Sequence, residues 1–309
     1  MDTIPEQQPA TSVIKPRNAW IAFILSFFVP GLGQVYNGQW KKGLLFFVVI
    51  YCVRFFLEIP EAITSFYSLL TLCSIEFVLR IFIIVDAIRY ARRQKGYIPK
   101  KYNKWYYHLL IAAAMIAVLT SYNRCLQTYK VTSTSGYPTT QLDDRLAVDL
   151  SAYKNKEADY GDIVAFNAPN GKVWAYRVVG LPGDSLELTN DLVSIKGKTC
   201  NALLIKNSVI EQVPVDEYAE TLPNGFQYHI AIARFLIDSS KTNIKNIFVP
   251  AGSYYLLADD RDNGSDSRYI GPVKQKNVLG RVIFSFWGKT TKRINIDFRA
   301  STSQYKHLK

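Results

Sequence analysis

Between Tyr255 and Val273 an apolar run breaks into Ala258-Asp259-Asp260-Arg261-Asp262-Asn263-Gly264-Ser265-Asp266-Ser267-Arg268, which crowds carboxylates, guanidiniums and hydroxyls into one short segment. Short Asp, Asn and Ser side chains bond their own backbone, so this stretch reads as a strand followed by a tight, built loop. A second concentration of hydroxyls lies upstream in Ser133-Thr134-Ser135-Gly136-Tyr137-Pro138-Thr139. A hydroxyl is a poor nucleophile until a base takes its proton, so any covalent chemistry here turns on a proton acceptor. His229 is titratable, but a lone histidine in an alternating strand is ordinarily a surface or packing residue. Cys52 and Cys73 sit in apolar runs, Cys125 near the end of one, and Cys200 alone in the polar part, a spacing that suggests neither metal ligands nor a disulfide framework.

Four boxes stand in a fixed order: the Ser133 to Thr139 stretch, Tyr160-Gly161-Asp162-Ile163-Val164-Ala165-Phe166, Tyr176-Arg177-Val178-Val179-Gly180-Leu181-Pro182-Gly183-Asp184, and the final loop after Val249-Pro250. A lone Ser-x-x-Pro-Thr is weak, but together, over roughly residues 131 to 288, the boxes resemble those of the bacterial signal peptidase I family. Members of that family are membrane-anchored serine peptidases that remove signal peptides from exported proteins. The resemblance implies Ser135 as nucleophile, its backbone N–H and the Ser133 hydroxyl as oxyanion donors, and hydrolysis with no metal and no cofactor. It also implies that Asp266 and Arg268 pair to brace the loop, and that Gly136, Tyr137 and Pro138 wall the substrate groove, Gly136 standing where the family usually has methionine. Ala258 and Asp260 replace the usual Gly and Asn.

The family's base is a buried lysine, and its place here is Tyr176. The serine that bonds that lysine is replaced by Gly264, a coordinated loss if an absent side chain at 264 makes room for the phenol. Three readings follow. Tyr176 acts as a phenolate, which from an ordinary pKa near 10 needs a strong local cation, while Arg177 points to the opposite strand face. Alternatively, another residue substitutes: Lys172 shares the face of Tyr176 but lies about 13 Å along the strand, and His229 is the other candidate. In the third reading hydrolysis is feeble or absent and the groove binds peptides or membrane partners.

The elements that must position these residues divide the chain. A mean hydropathy of zero averages an apolar first third with a polar remainder. Gly43 to Ile59, Phe66 to Ala87 and Trp105 to Tyr122 each approach the roughly 20 residues that cross a bilayer core. Ala19 to Tyr36 is interrupted by Pro30-Gly31-Leu32-Gly33, so it kinks, re-enters or lies at the interface. Arg89, Arg92, Arg93, Lys95, Lys100, Lys101 and Lys104 stay cytoplasmic under the positive-inside rule, and the last span carries the chain outward. Glu58 and Glu61 suit the outer face; Lys15, Arg17, Lys41 and Lys42 favour the inner one. Much of the net charge of +12 therefore faces lipid headgroups, with no nucleic-acid module to claim it. Arg54, Glu76 and Arg80 are expensive in lipid; mutual pairing is the simpler reading and transport the distant one.

The expected organisation is an N-terminal tail (1–18), an α-helical membrane module of three or four apolar segments (19–124), and a mainly antiparallel all-β extracytoplasmic domain of catalytic type (125–309). This places a multi-pass protein in the cytoplasmic membrane, with lipids and exported precursors as partners and no nucleic acid. Strands are expected at Asp162–Phe166, Val173–Val179, Ser185–Leu188, Leu192–Ile195, Phe226–Ala233, Tyr254–Ala258 and Arg281–Phe286. Thr199 to Lys245 reads as variable surface.

Overall fold

The computed structural model describes residues 16–57, 65–94, 96, 105–120, 125–235 and 241–301. Lys15, Glu58, Glu61, Lys95, Lys100, Lys101 and Lys104, used in the charge argument, lie outside these residues. The chain forms two compact units, a helical one reaching Asn123 and a β-rich one from Arg124 onward that also takes in Thr64–Tyr67.

The β unit is built from Val, Ile and aromatic runs parted by Gly, Asn and Asp turns, and its strand pairs are antiparallel. Strands β1 (Leu126–Lys130), β2 (Arg145–Asp149), β3 (Ile163–Asn167) and β4 (Val173–Gly180) open the chain path. They are followed by β5 (Ser185–Thr189), β6 (Leu192–Ile195), β7 (Lys198–Thr199), β8 (Asn201–Ile210), β9 (Val213–Thr221), β10 (Gln227–Ala233) and β11 (Ile244–Phe248). The set closes with β12 (Ser253–Leu257), β13 (Val273–Lys274), β14 (Val278–Trp287) and β15 (Ile296–Asp297). The main sheet runs β1-β2-β14-β3-β4-β12-β13 with β15 on β14; β10-β9-β8 and β11-β5-β6-β7 form two further sheets.

Register explains how the site is set. Ile163 pairs with Arg177 and Val164 with Tyr176. Because successive side chains alternate faces, Tyr176 and Val178 join Val164, Phe166, Leu256 and Ala258 in one apolar cluster, while Arg177 turns to the other face and bonds Asp259 at 2.8 and 2.6 Å.

Of the segment 199–245, β8 is mostly exposed, as its lack of motifs suggests, while β9 and β10 carry buried positions. β8, β9 and β10 make a sheet of their own, and Glu220, Tyr228 and Ile230 within it are fully buried. β1, β2, β8, β9 and β11 are not among the expected strands, since their apolar positions are fewer or interrupted by charge, and neither are β7, β13 and β15, which are two residues each.

In the helical unit, α1 (Ala19–Phe28), α2 (Leu32–Tyr36), α3 (Trp40–Leu57), α4 (Phe66–Arg93) and α5 (Trp105–Thr120) follow in order. Among the described residues one helix, α4, is long and apolar enough to cross a membrane; α1 and the apolar stretch Trp105–Val118 of α5 are shorter. In α3, Lys41, Lys42 and Arg54 interrupt the apolar run. Glu76 and Arg80 pair on α4 at 3.1 Å, as the i,i+4 spacing predicts. Arg54 does not join them: it is exposed and forms no ion pair among the described residues.

Candidate active site

The loop after β1 carries Ser133 and Ser135, whose hydroxyl oxygens stand 2.9 Å apart. The final loop, leaving β12, holds it in place. The Asp260 N–H donates to the Ser135 carbonyl at 3.0 Å, and the Asn263 amide donates to the Thr134 hydroxyl at 2.6 Å. Asp266 caps the four-residue helix α6 (Ser267–Ile270) and grips the Arg268 guanidinium with both oxygens at 2.9 Å. Arg268 also reaches Asp191 at 2.8 Å.

These parts border a groove of about 530 Å³ lined by Ser133, Ser135, Gly136, Tyr176, Asp262 and Gly264 among others. Tyr176 is buried beside Ser135. Burial pushes its phenol up from the ordinary tyrosine range, only partly opposed by bonds from Ser135 and the Ser265 backbone. A buried phenol held protonated is not a base at neutral pH. Lys130 and Lys172 line the same groove, but Lys172 is exposed and Lys130 is half-exposed and ion-paired to Asp143 at 2.8 Å. His229 borders a separate cavity of about 240 Å³ with Pro138, Thr139 and Arg177, and burial lowers its pKa. The structure thus brings Ser133, Ser135, Gly136, Tyr176 and Gly264 together, with Asp266 and Arg268 bracing the loop behind, and leaves His229 and Pro138 on another cavity.

Gly264 owes its missing side chain to a different neighbour from the one the sequence suggests. A Cβ there would lie 2.3 Å from the Cβ of Ala258, and Tyr176 is not among its nearest atoms. A side chain at 264 and the methyl of Ala258 therefore compete for one space in this structure. Gly136 is fixed in the same way, since a Cβ there would stand 1.9 Å from the Thr140 hydroxyl. Tyr137, expected as a wall of the substrate groove, donates its hydroxyl to buried Glu217 on β9 at 2.6 Å. Sequence reasoning missed Thr140, Glu217 and the Ala258 partnership; no local pattern marks contacts between segments so far apart in the chain.

A family model described as signal peptidase, peptidase S26, matches residues 103–287, more than half of the chain. This chain belongs to that family. Signal peptidase IB of Staphylococcus aureus (strain Mu50 / ATCC 700699) is 25% identical over 188 residues, covering 61% of this chain and 91% of its own. Signal peptidase I of Rickettsia conorii is 34% identical over 143 residues, covering 44% of this chain and 53% of its own. A solved signal peptidase I from Enterococcus faecalis V583 is 28% identical, covering 41% of this chain and 97% of that one, with a TM-score of 0.26.

Beside the Ser135 groove, Asp260 carries a measurable pH signature. Its carboxyl is nearly inaccessible, and burial, then the neighbouring Asp262, push its pKa up to about 7. The folded-state pKa lies above the unfolded value of 3.8, so ionisation costs stability as pH rises between the two values, and that loss persists above them. Asp260→Asn should match the parent's unfolding midpoint near pH 4 and exceed it at pH 8, where the gain in unfolding free energy is on the order of 4 kcal/mol. Parallel midpoints across that range would refute this account of Asp260.

Proposed function

We propose that this chain is a membrane-bound signal peptidase I-like serine endopeptidase that takes exported precursors as extended peptides, with turnover held low by the loss of the family's amine. The observation that carries this reading is the Ser133–Ser135 hydroxyl pair, kept 2.9 Å apart at the border of an open groove and braced by buried ion pairs. Ser135 Oγ attacks the peptide carbonyl. The Ser133 hydroxyl and the Ser135 backbone N–H hold the developing oxyanion. The tetrahedral intermediate breaks the peptide C–N bond, the amine leaving with a proton from water, and water then hydrolyses the Ser135 ester to release the new carboxyl terminus and restore the hydroxyl. With Tyr176 neutral and the groove amines solvated, the Ser135 proton leaves to water rather than to a positioned base, which is why the rate is low. The apolar segments of the helical unit anchor the chain in the cytoplasmic membrane. The basic end of α4 stays inside, and the β unit is extracytoplasmic. Lipids and precursors are the partners; nucleic acid is not.

Incubating the full chain in detergent with a precursor bearing Ala one and three residues before the cut, and mapping products by mass spectrometry, tests this. Slow cleavage after the second Ala is expected. Ser135→Ala should lower it by about tenfold to a hundredfold, less than in a family member with its base, because parts of one catalytic unit are not additive. The raised phenol of Tyr176 favours one second reading, a binding protein without hydrolysis. Absence of cleavage together with peptide binding that survives Ser135→Ala would select it.

A further inference from the structure

The Pro30-Gly31-Leu32-Gly33-Gln34-Val35-Tyr36-Asn37-Gly38 stretch plays no part in the peptidase chemistry, yet it decides where the first helices sit against α4. Positions along α4 serve as a depth scale. Ala22 near the start of α1 packs with Ala87 and Ala91. The Phe27 carbonyl near its end accepts from Arg80 at 3.5 Å. The chain then breaks at Pro30-Gly31 and climbs back: Gln34 of α2 donates to the Ile83 carbonyl at 2.7 Å, and Asn37 to the Ala87 carbonyl at 2.8 Å. Lys42, at the start of α3, pairs with Asp86 at 2.7 Å. The two ends of the excursion meet, with the Asn18 N–H on the Tyr36 hydroxyl at 3.2 Å and Arg17 over the Tyr36 ring at 4.5 Å.

The glycines make the reversal possible by close approach. A Cβ at Gly31 would lie 2.1 Å from the Gly43 carbonyl oxygen, and one at Gly33 would lie 2.3 Å from that of Ala22. The interruption of α1 at Pro30 leaves polar backbone within an apolar unit, a cost tolerated only where neighbouring protein satisfies it.

We propose that α1–α2 is a re-entrant hairpin whose partner is the acyl-chain layer of the cytoplasmic leaflet. The excursion covers the eleven residues of α4 between Ala91 and Arg80, about 16 Å at 1.5 Å per residue, half of a hydrocarbon core of roughly 30 Å. Arg89, Arg92 and Arg93 assign that end of α4 to the cytoplasm. The occupant of the outward face is lipid, because the hairpin lies against the one described helix fit to cross a bilayer and turns Trp20 (73% exposed) and Phe28 (72% exposed) away from it. Residue 18 and residue 37 then share a side. This rests on the membrane placement proposed above, but not on catalysis.

The test uses the full chain with Cys52, Cys73, Cys125 and Cys200 changed to Ser, and single cysteines introduced one at a time by Thr3→Cys, Gln94→Cys or Asn170→Cys. An impermeant maleimide should label Thr3→Cys and Gln94→Cys only in inverted membrane vesicles, and Asn170→Cys only in spheroplasts. Labelling of Thr3→Cys from outside, while Gln94→Cys stays inside, would overturn the hairpin. Labelling of Asn170→Cys from inside would instead overturn the extracytoplasmic placement of the β unit. Nitroxide labels on Trp20→Cys, Phe28→Cys and Tyr36→Cys provide an independent readout. Oxygen and nickel-chelate collision should place Phe28 deepest and the other two equally shallow; a depth that rises steadily from 20 to 36 would refute re-entry.

Discussion

Tyr176→Lys, Gly264→Ser and Ala258→Gly introduced together should raise precursor cleavage by about a hundredfold to ten-thousandfold, the usual yield of a positioned general base. Lysine at 176 would enter the buried apolar cluster that Tyr176 now occupies, and burial disfavours its charged form, leaving an amine able to take the Ser135 proton. Serine at 264 would supply the amine's hydrogen-bond partner, but only if the methyl of Ala258 is gone, because the two Cβ atoms would otherwise lie 2.3 Å apart. Tyr176→Lys with Gly264→Ser alone should therefore gain much less. Single-turnover rates on one precursor decide the matter. A double variant as fast as the triple would show that positions 258 and 264 are not coupled, and a parent as fast as the triple would show that the missing amine does not limit turnover. In the triple variant, adding Ser135→Ala should remove the whole gain.

Arg261→Met should destabilise the β unit by about 3–5 kcal/mol, the cost of leaving a buried charge without its partner. Arg261 and Glu220 are both fully buried and bonded at 2.6 Å. The same guanidinium also reaches the Tyr228 hydroxyl at 2.8 Å and the Asp191 carbonyl at 2.7 Å. Domains are stable by only about 5–15 kcal/mol, so this is a large share of the margin. Arg261→Met with Glu220→Leu should recover most of the loss, since an apolar pair of similar volume often replaces a buried ion pair without penalty. Buried Cys200 is a convenient reporter, because its thiol-labelling rate, located by mass spectrometry, follows opening of this unit. Equal rates in parent and Arg261→Met would contradict the role given to the pair.

The boxes made the site legible because each is a short local pattern: a turn of Asp, Asn and Ser, a Pro-Thr after a serine, a strand alternating Tyr176 inward and Arg177 outward. Asp266 with Arg268, two residues apart, could be paired on paper. Contacts that span the chain were not legible. Ala258 and Gly264 lie on opposite arms of one loop, and whether their Cβ atoms collide depends on its curvature. Glu217 and Glu220 are ordinary charges in a strand of mixed composition, and their partners Tyr137 and Arg261 come from the Ser133–Thr139 loop and the final loop, far away in the chain. The same holds for Gln34 and Asn37, whose partners on α4 are dozens of residues away, so periodicity left the path of α1–α2 open.

The bond from Tyr137 to Glu217 ties the middle of the domain to the nucleophile loop. Glu217 also accepts from Ser208 on β8 at 2.6 Å, so one carboxylate joins both strands of the β8–β9 hairpin to the residue two past Ser135. Moving residues 199–245 without the Ser133–Thr139 loop would leave Glu217 with only its partners inside the hairpin, Ser208 and Lys206, and moving that loop alone would leave the Tyr137 hydroxyl without its carboxylate. The two segments therefore behave as one mechanical part: a change to either is felt at the other through a single carboxylate.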